Sequence, residues 1–129
     1  MQLKRIVFPL LLLPLVAFAK PVVTEEINIV RSPNIKVYAF EKVMDRWSSE
    51  QWVYFDDLIK RESGWNSEAQ NPNSTAYGLA QFLNSTWNSV ECIKTDDKYV
   101  QIDCAIDYVE LRYKTPQGAI KHHNRNNWY

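Results

Sequence analysis

Read for hydrophobic and polar positions, the chain divides into an apolar leader, an unpatterned lead-in and a series of short helical stripes. Ile6–Val16 is an apolar run broken only by prolines, with Lys4 and Arg5 before it and Ala17-Phe18-Ala19 after it. A basic start, an apolar stretch and a small-x-small ending predict a cleaved export signal over 1–19. The run is shorter than the roughly 20 apolar residues a membrane span needs. Residues 20–31 mix a proline, two acids and scattered Val and Ile without a period, and are expected to form an extended lead-in. The remaining stretch, 32–129, has the length of one domain.

Within it, Ser32-Pro33 has the form of an N-cap followed by proline at the first helical position. Ile35, Ala39, Val43 and Trp47, with Phe40 and Met44 beside them, continue that helix to about Arg46. Ser48 and Gln51 stand at capping-box spacing and predict a second helix. Placed at 100° intervals from Trp52, the residues Phe55, Leu58, Ile59 and Glu62 fall within one arc of about 120°. Tyr54, Asp57, Lys60 and Arg61 fall on the opposite, solvated side. Glu62 is thus the one acid on the apolar stripe, at the point where Ser63-Gly64 should open the helix into a loop. Partial desolvation there would raise its pKa, the condition a general acid needs near neutral pH. The competing reading is an ordinary surface glutamate at a frayed helix end.

Asn71-Pro72-Asn73-Ser74 is a turn signal. Gly78, one of three glycines in the chain, permits positive φ or close backbone approach and suits the wall of a cleft. Leu79, Phe82 and Leu83 are spaced as the start of a further short helix. Asp96-Asp97-Lys98 reads as a polar loop. Gln101–Tyr113 is the clearest late helix, with Ile102, Ala105, Ile106, Val109 and Tyr113 on one face, Asp103, Asp107 and Glu110 as an acidic stripe, and Cys104 and Leu111 on a third side. Most of that helix should therefore be buried. Thr115-Pro116 ends it and starts another, and Trp128-Tyr129 reads as a plug on the core.

Composition narrows the function. Removing Lys4 and Arg5 from the 15 basic residues leaves 13 against 15 acidic ones, a net charge of −2 without any basic run. That balance argues against a partner bound mainly through phosphate neutralisation, so no nucleic acid partner is expected. No second apolar stretch follows the leader, so no transmembrane segment is expected in the mature chain, which should be soluble and act in the periplasm or outside the cell. Cys92 and Cys104 are the only cysteines. In an exported chain they are expected to form one disulfide, free thiols being the alternative. No metal site and no cofactor are expected. Only His122 and His123 are available to serve a serine nucleophile, and neither lies near Ser63 in sequence.

Glu62-Ser63-Gly64-Trp65-Asn66, Ala69, Asn71-Pro72, Ala76-Tyr77-Gly78-Leu79-Ala80-Gln81 and Thr86-Trp87 together resemble the soluble lytic transglycosylase family. Gln101-Ile102 through Tyr108-Val109 is similar to the family's third conserved helix. The resemblance implies a mainly α, small lysozyme-like domain built around the helix that carries the catalytic glutamate, acting on peptidoglycan glycan strands. It implies Glu62 as the catalytic residue and places Ser63, Tyr77, Gly78, Leu79, Gln81, Tyr108, His123 and Asn124 among substrate-contacting positions. Ala119-Ile120-Lys121-His122-His123-Asn124 resembles the family's Ala-x-x-Ala-Tyr-Asn motif with a departure at His123, which stands where the family has a tyrosine that contacts the catalytic acid. Tyr77, Tyr108 or Tyr129 could supply that hydroxyl instead.

The implied reaction breaks the bond between N-acetylmuramic acid and N-acetylglucosamine and closes a 1,6-anhydro ring, with Glu62 as acid and then base. Ordinary glycosidases use two acids; here Asp56 and Glu68 are nearby in sequence but at the stripe's edge and in the turn-rich loop. A lysozyme-type muramidase and a non-catalytic peptidoglycan-binding protein of the same fold are the alternatives. A monomer is expected; a housekeeping wall enzyme, a phage lysis protein and a local wall opener working with cell-envelope machinery all stay open as roles, the small single domain favouring a specialised one.

Overall fold

A computed structural model describes residues 14–20 and 30–129 of the chain. Residues 1–13 of the expected export signal and 21–29 of the expected lead-in lie outside the described residues. Among the described residues the fold is mainly α, with five helices and no strand: α1 (Ile35–Arg46), α2 (Ser49–Ser63), α3 (Asn84–Ser89), α4 (Lys98–Tyr113) and α5 (Pro116–Asn126). α1 and α5 each pack against both α2 and α4.

The apolar stripe of α2 lies where its period puts it. Phe55, Leu58 and Ile59 are completely buried, against Ala39 and Val43 of α1, Ile102 and Val109 of α4, and Ala119 of α5. On the order of 2 kcal/mol for each large side chain taken out of water, this shared core fixes α2 in place. Trp52 and Glu62, at the two ends of the same stripe, are half-buried. α2 stops at Gly64, which takes φ +60° and donates its N–H to the Lys60 carbonyl at 3.0 Å. Glycine bears that left-handed conformation without the penalty a Cβ brings.

Helix starts differ from the sequence expectation in instructive ways. Ser32-Pro33 does not open α1; Asn34 does, its side-chain oxygen accepting from Lys36 N at 2.9 Å and Val37 N at 3.4 Å. The capping box expected at Ser48 and Gln51 is not formed, because the Ser48 side chain makes no capping bond. Gln51 Oε1 instead accepts from Gln117 N at 3.0 Å, satisfying a first-turn donor of α5. α4 begins at Lys98, three residues earlier than expected, since Asp97 accepts from Tyr99 N and Val100 N. Thr115 caps α5 with Pro116 next to it, as its sequence predicts.

No helix begins at Leu79. Gly78 and Gln81 take φ +82° and +51°, and the chain folds into a turn in which Gln81 N donates to Gly78 O and Tyr77 N to Phe82 O. α3 starts only at Asn84. Leu111 of α4 is 63% exposed rather than buried, so α4 buries one broad face and not its whole circumference. Its acidic stripe faces α1: Asp103 accepts from Tyr38 Oη at 2.8 Å, and Arg46 pairs with Asp107 at 3.1 Å and with Glu110. Cys92 and Cys104 are joined in a disulfide that ties the segment after α3 to α4.

Candidate active site

A cleft of about 410 Å³ opens beside the end of α2. α2 contributes Glu62; the turn-rich loop contributes Asn71, Ser74 and Ala76; the turn before α3 contributes Ala80, Gln81, Phe82 and Leu83; α3 adds Thr86. Trp128 and Tyr129, which follow α5, close the remaining side. Glu62 is the one acidic side chain that lines this cleft among the described residues. Burial raises its pKa from 4.5 to about 7, so that a large fraction holds its proton at neutral pH.

His123 Nε2 lies 3.2 Å from Glu62 Oε1, and each of the two side chains is 18% exposed. Burial, and after it the charge of Arg61, lowers the pKa of His123. Tyr129 donates its hydroxyl to the Ala80 carbonyl at 3.0 Å. Burial and the nearby Glu62 hold its phenol well above the usual range, so it stays protonated. Tyr129 is thus the tyrosine that the fold brings beside Glu62. Tyr108 sits behind it, edge-on at 5.7 Å, and Tyr77 is half-buried under the Lys94 ammonium.

The other expected contact residues are distributed more unevenly. Gln81 lines the cleft, and its amide nitrogen donates to Ala69 O and Gly78 O, both at 2.9 Å. That leaves Oε1 as its acceptor toward a ligand. Ser63 donates back to Ile59 O at 3.3 Å, and Asn124 accepts from Arg61 at 2.7 Å; neither lines the cleft. Gly78, Leu79 and Tyr108 are buried behind the wall. Gly78 serves the site from below: a Cβ there would lie 2.7 Å from Gln101 Oε1.

Gln101 was not legible as a site-forming residue. It is the one buried polar side chain among the described residues, at 1% exposed. Its Oε1 accepts from Leu79 N at 2.8 Å, and its Nε2 donates to Ser67 O at 3.0 Å and Thr95 O at 2.9 Å. One amide on α4 therefore pins two loops and the cleft-forming turn. Trp128 was expected as a core plug with Tyr129, yet it is 51% exposed on the cleft side. Asp56 and Glu68 are kept from the cleft. Asp56 accepts from Trp65 Nε1 at 2.9 Å and pairs with Lys36 at 3.4 Å, and Glu68 is exposed on the turn-rich loop.

The geometry offers one protonated carboxyl, amide and hydroxyl groups around it, and an exposed indole on which a sugar ring could stack. Probable transglycosylase SceD from Staphylococcus aureus strain Newman is 50% identical over 38 residues, as is its counterpart from strain USA300. That stretch is 30% of this chain and 16% of each relative, so the match spans only a small part of the relatives' length. No solved structure matches the chain. The model of the transglycosylase SLT domain matches residues 39–119, more than half of the chain and all of α2, α3 and α4, and the chain belongs to that family.

Proposed function

We propose that this domain is a peptidoglycan lytic transglycosylase that cleaves the β-1,4 bond between N-acetylmuramic acid and N-acetylglucosamine. One observation carries the reading: among the described residues Glu62 is the one acidic side chain that lines the cleft, and burial raises its pKa to about 7, so that a large fraction is protonated at neutral pH. Glu62 gives its proton to the bridging oxygen as the bond to C1 of the muramic residue breaks. The resulting carboxylate takes the proton of the C6 hydroxyl, whose oxygen closes on C1. The product is a 1,6-anhydro end, and Glu62 leaves the cycle protonated as it entered. An internal nucleophile makes a second acid unnecessary, whereas a hydrolase of the two-carboxylate type needs one beside the same bond. Peptidoglycan lies outside the cytoplasmic membrane, which is consistent with residues 1–19 acting as an export signal and 32–129 as the working domain.

The test is turnover of purified peptidoglycan with mass analysis of the products. Anhydro ends are lighter by one water than those of a muramidase, and a muramidase outcome replaces this reading. Glu62→Gln should lower cleavage by about 10²–10⁴-fold while leaving glycan binding intact. Activity should fall as pH rises through about 7, where the acid ionises before it can donate. A Glu62→Gln protein with parental turnover ends the assignment, and binding by a parent that never cleaves favours the non-catalytic alternative.

A further inference from the structure

We propose that His123 is a positioning residue for Glu62, and that the two side chains act as one unit holding a single proton at the start of the reaction. This rests on the catalytic role assigned above to Glu62. His123 comes from α5 and Glu62 from α2, and the 3.2 Å contact between them is the one polar side-chain contact to that carboxyl among the described residues. Residues 120–129, which include His123, lie beyond the part of the chain that matches the family model.

A carboxyl and an imidazole at this separation titrate as a pair that holds two protons, one or none. With one proton there are two arrangements: a neutral acid beside a neutral imidazole, or a carboxylate beside an imidazolium. The second places two charges in a largely buried site in place of none. Burial pushes the carboxyl up and the imidazole down, so the proton belongs to Glu62. The surrounding groups are few. From α2, Arg61 disfavours a charged His123 while Asp57, bonded to Arg61 at 2.7 Å, offsets it; from α5, His122 adds to Arg61. Burial raises the phenols of Tyr113 of α4 and the nearby Tyr129, so both stay neutral at the pH of catalysis.

In the proposed neutral pair, His123 Nε2–H is the donor within reach of Glu62 Oε1, 3.2 Å away, and Oε2 carries the proton that passes to the glycosidic oxygen. After that transfer the same N–H donates to a carboxylate and holds it for its turn as base, a stronger bond than the one before. A second proton, taken up at low pH, makes His123 an imidazolium. That charge opposes the positive character developing at C1 and weakens the carboxylate as a base. The pH profile is therefore a bell: Glu62 sets its alkaline side and His123 its acid side.

The experiment measures kcat and KM on soluble glycan strands from acid to mildly alkaline pH, for the parent and for His123→Phe, His123→Gln and His123→Tyr. Losing a hydrogen bond to a charged group, His123→Phe should lower kcat by about 10- to 100-fold with KM little changed. His123→Gln and His123→Tyr keep a donor without the imidazole's titration, so they should retain most turnover and lose the acid side of the bell. Glutamate-carboxyl NMR gives a reading independent of turnover: Glu62 should titrate with an inflection shared with His123 in the parent and without it in His123→Gln. The proposal is overturned by a His123→Phe protein with parental kcat and profile, by a Gln variant that keeps the acid side, or by an uncoupled Glu62 titration in the parent. Glu62→Gln is run beside these. If it stays active, the proposed function fails; if it is dead while His123→Phe is parental, only the role of His123 fails.

Discussion

Replacing Gln101 with leucine would keep the side-chain size and remove every hydrogen bond that the amide makes. Three are lost: from Leu79 N at 2.8 Å, to Ser67 O at 3.0 Å and to Thr95 O at 2.9 Å. The Leu79 N–H is buried, and leaving it unpaired costs about 1–3 kcal/mol. The two carbonyls lie nearer the surface, where water replaces part of what is lost, at about 0.5–1.5 kcal/mol each. Leucine returns some of this through its apolar burial, so the net destabilisation should be about 3 kcal/mol. For a domain of this size that lowers Tm by roughly 10–20 °C. Urea denaturation followed by tryptophan fluorescence, with an unchanged slope, is the direct assay. Gln117→Leu is the control, because that glutamine is exposed and its side chain makes one long contact, 3.3 Å to Tyr54 Oη. A Gln101→Leu midpoint within the error of this control would refute the view that α4 holds the loops through one amide.

Two further outcomes concern covalent and proton linkage. Reducing the Cys92–Cys104 bond, which closes a loop of sequence separation 12, should lower stability by about 3 kcal/mol, read as a shift in urea midpoint with and without reductant. The Glu62 proton leaves near 4.5 in the unfolded chain and at about 7 in the folded one. Between those values the folded state holds more protons, so stability falls as pH rises through that window. Glu62→Gln should accordingly be more stable than the parent above the window, by up to about 3 kcal/mol, and nearly equal to it below, as comparative melting at the two extremes would show.

The sequence made some of this architecture legible and hid the rest for physical reasons. The stripe of Phe55, Leu58, Ile59 and Glu62 could be read because a helix's periodicity is local, and all three apolar members are completely buried. The same rule misread Leu79, Phe82 and Leu83, whose spacing mimics a helix while Gly78 and Gln81 sit at positive φ. Glycine announces that freedom; glutamine does not. Gln101 looked like a polar helix start because its partners, Ser67, Leu79 and Thr95, come from three places that only the folded chain assembles. For the same reason the acidic stripe of α4 was visible while its partners Tyr38 and Arg46, more than 60 residues away, were not. The choice among Tyr77, Tyr108 and Tyr129 likewise depends on how the chain returns after α5, which no periodicity encodes.

The path of the chain after α5 has a consequence for anyone who would dissect the molecule. The family match ends at Ala119, inside the opening turns of α5, while Trp128 and Tyr129 form one bank of the cleft. A fragment cut at that border would keep Glu62 and most of the core, yet it would lose the neighbours at His123 and Tyr129. Its acid would then meet bulk water, and the desolvation that keeps it protonated would be lost. The part of the chain that matches the family model carries the reacting group, while residues beyond its border stand against that group and help to shield it from water.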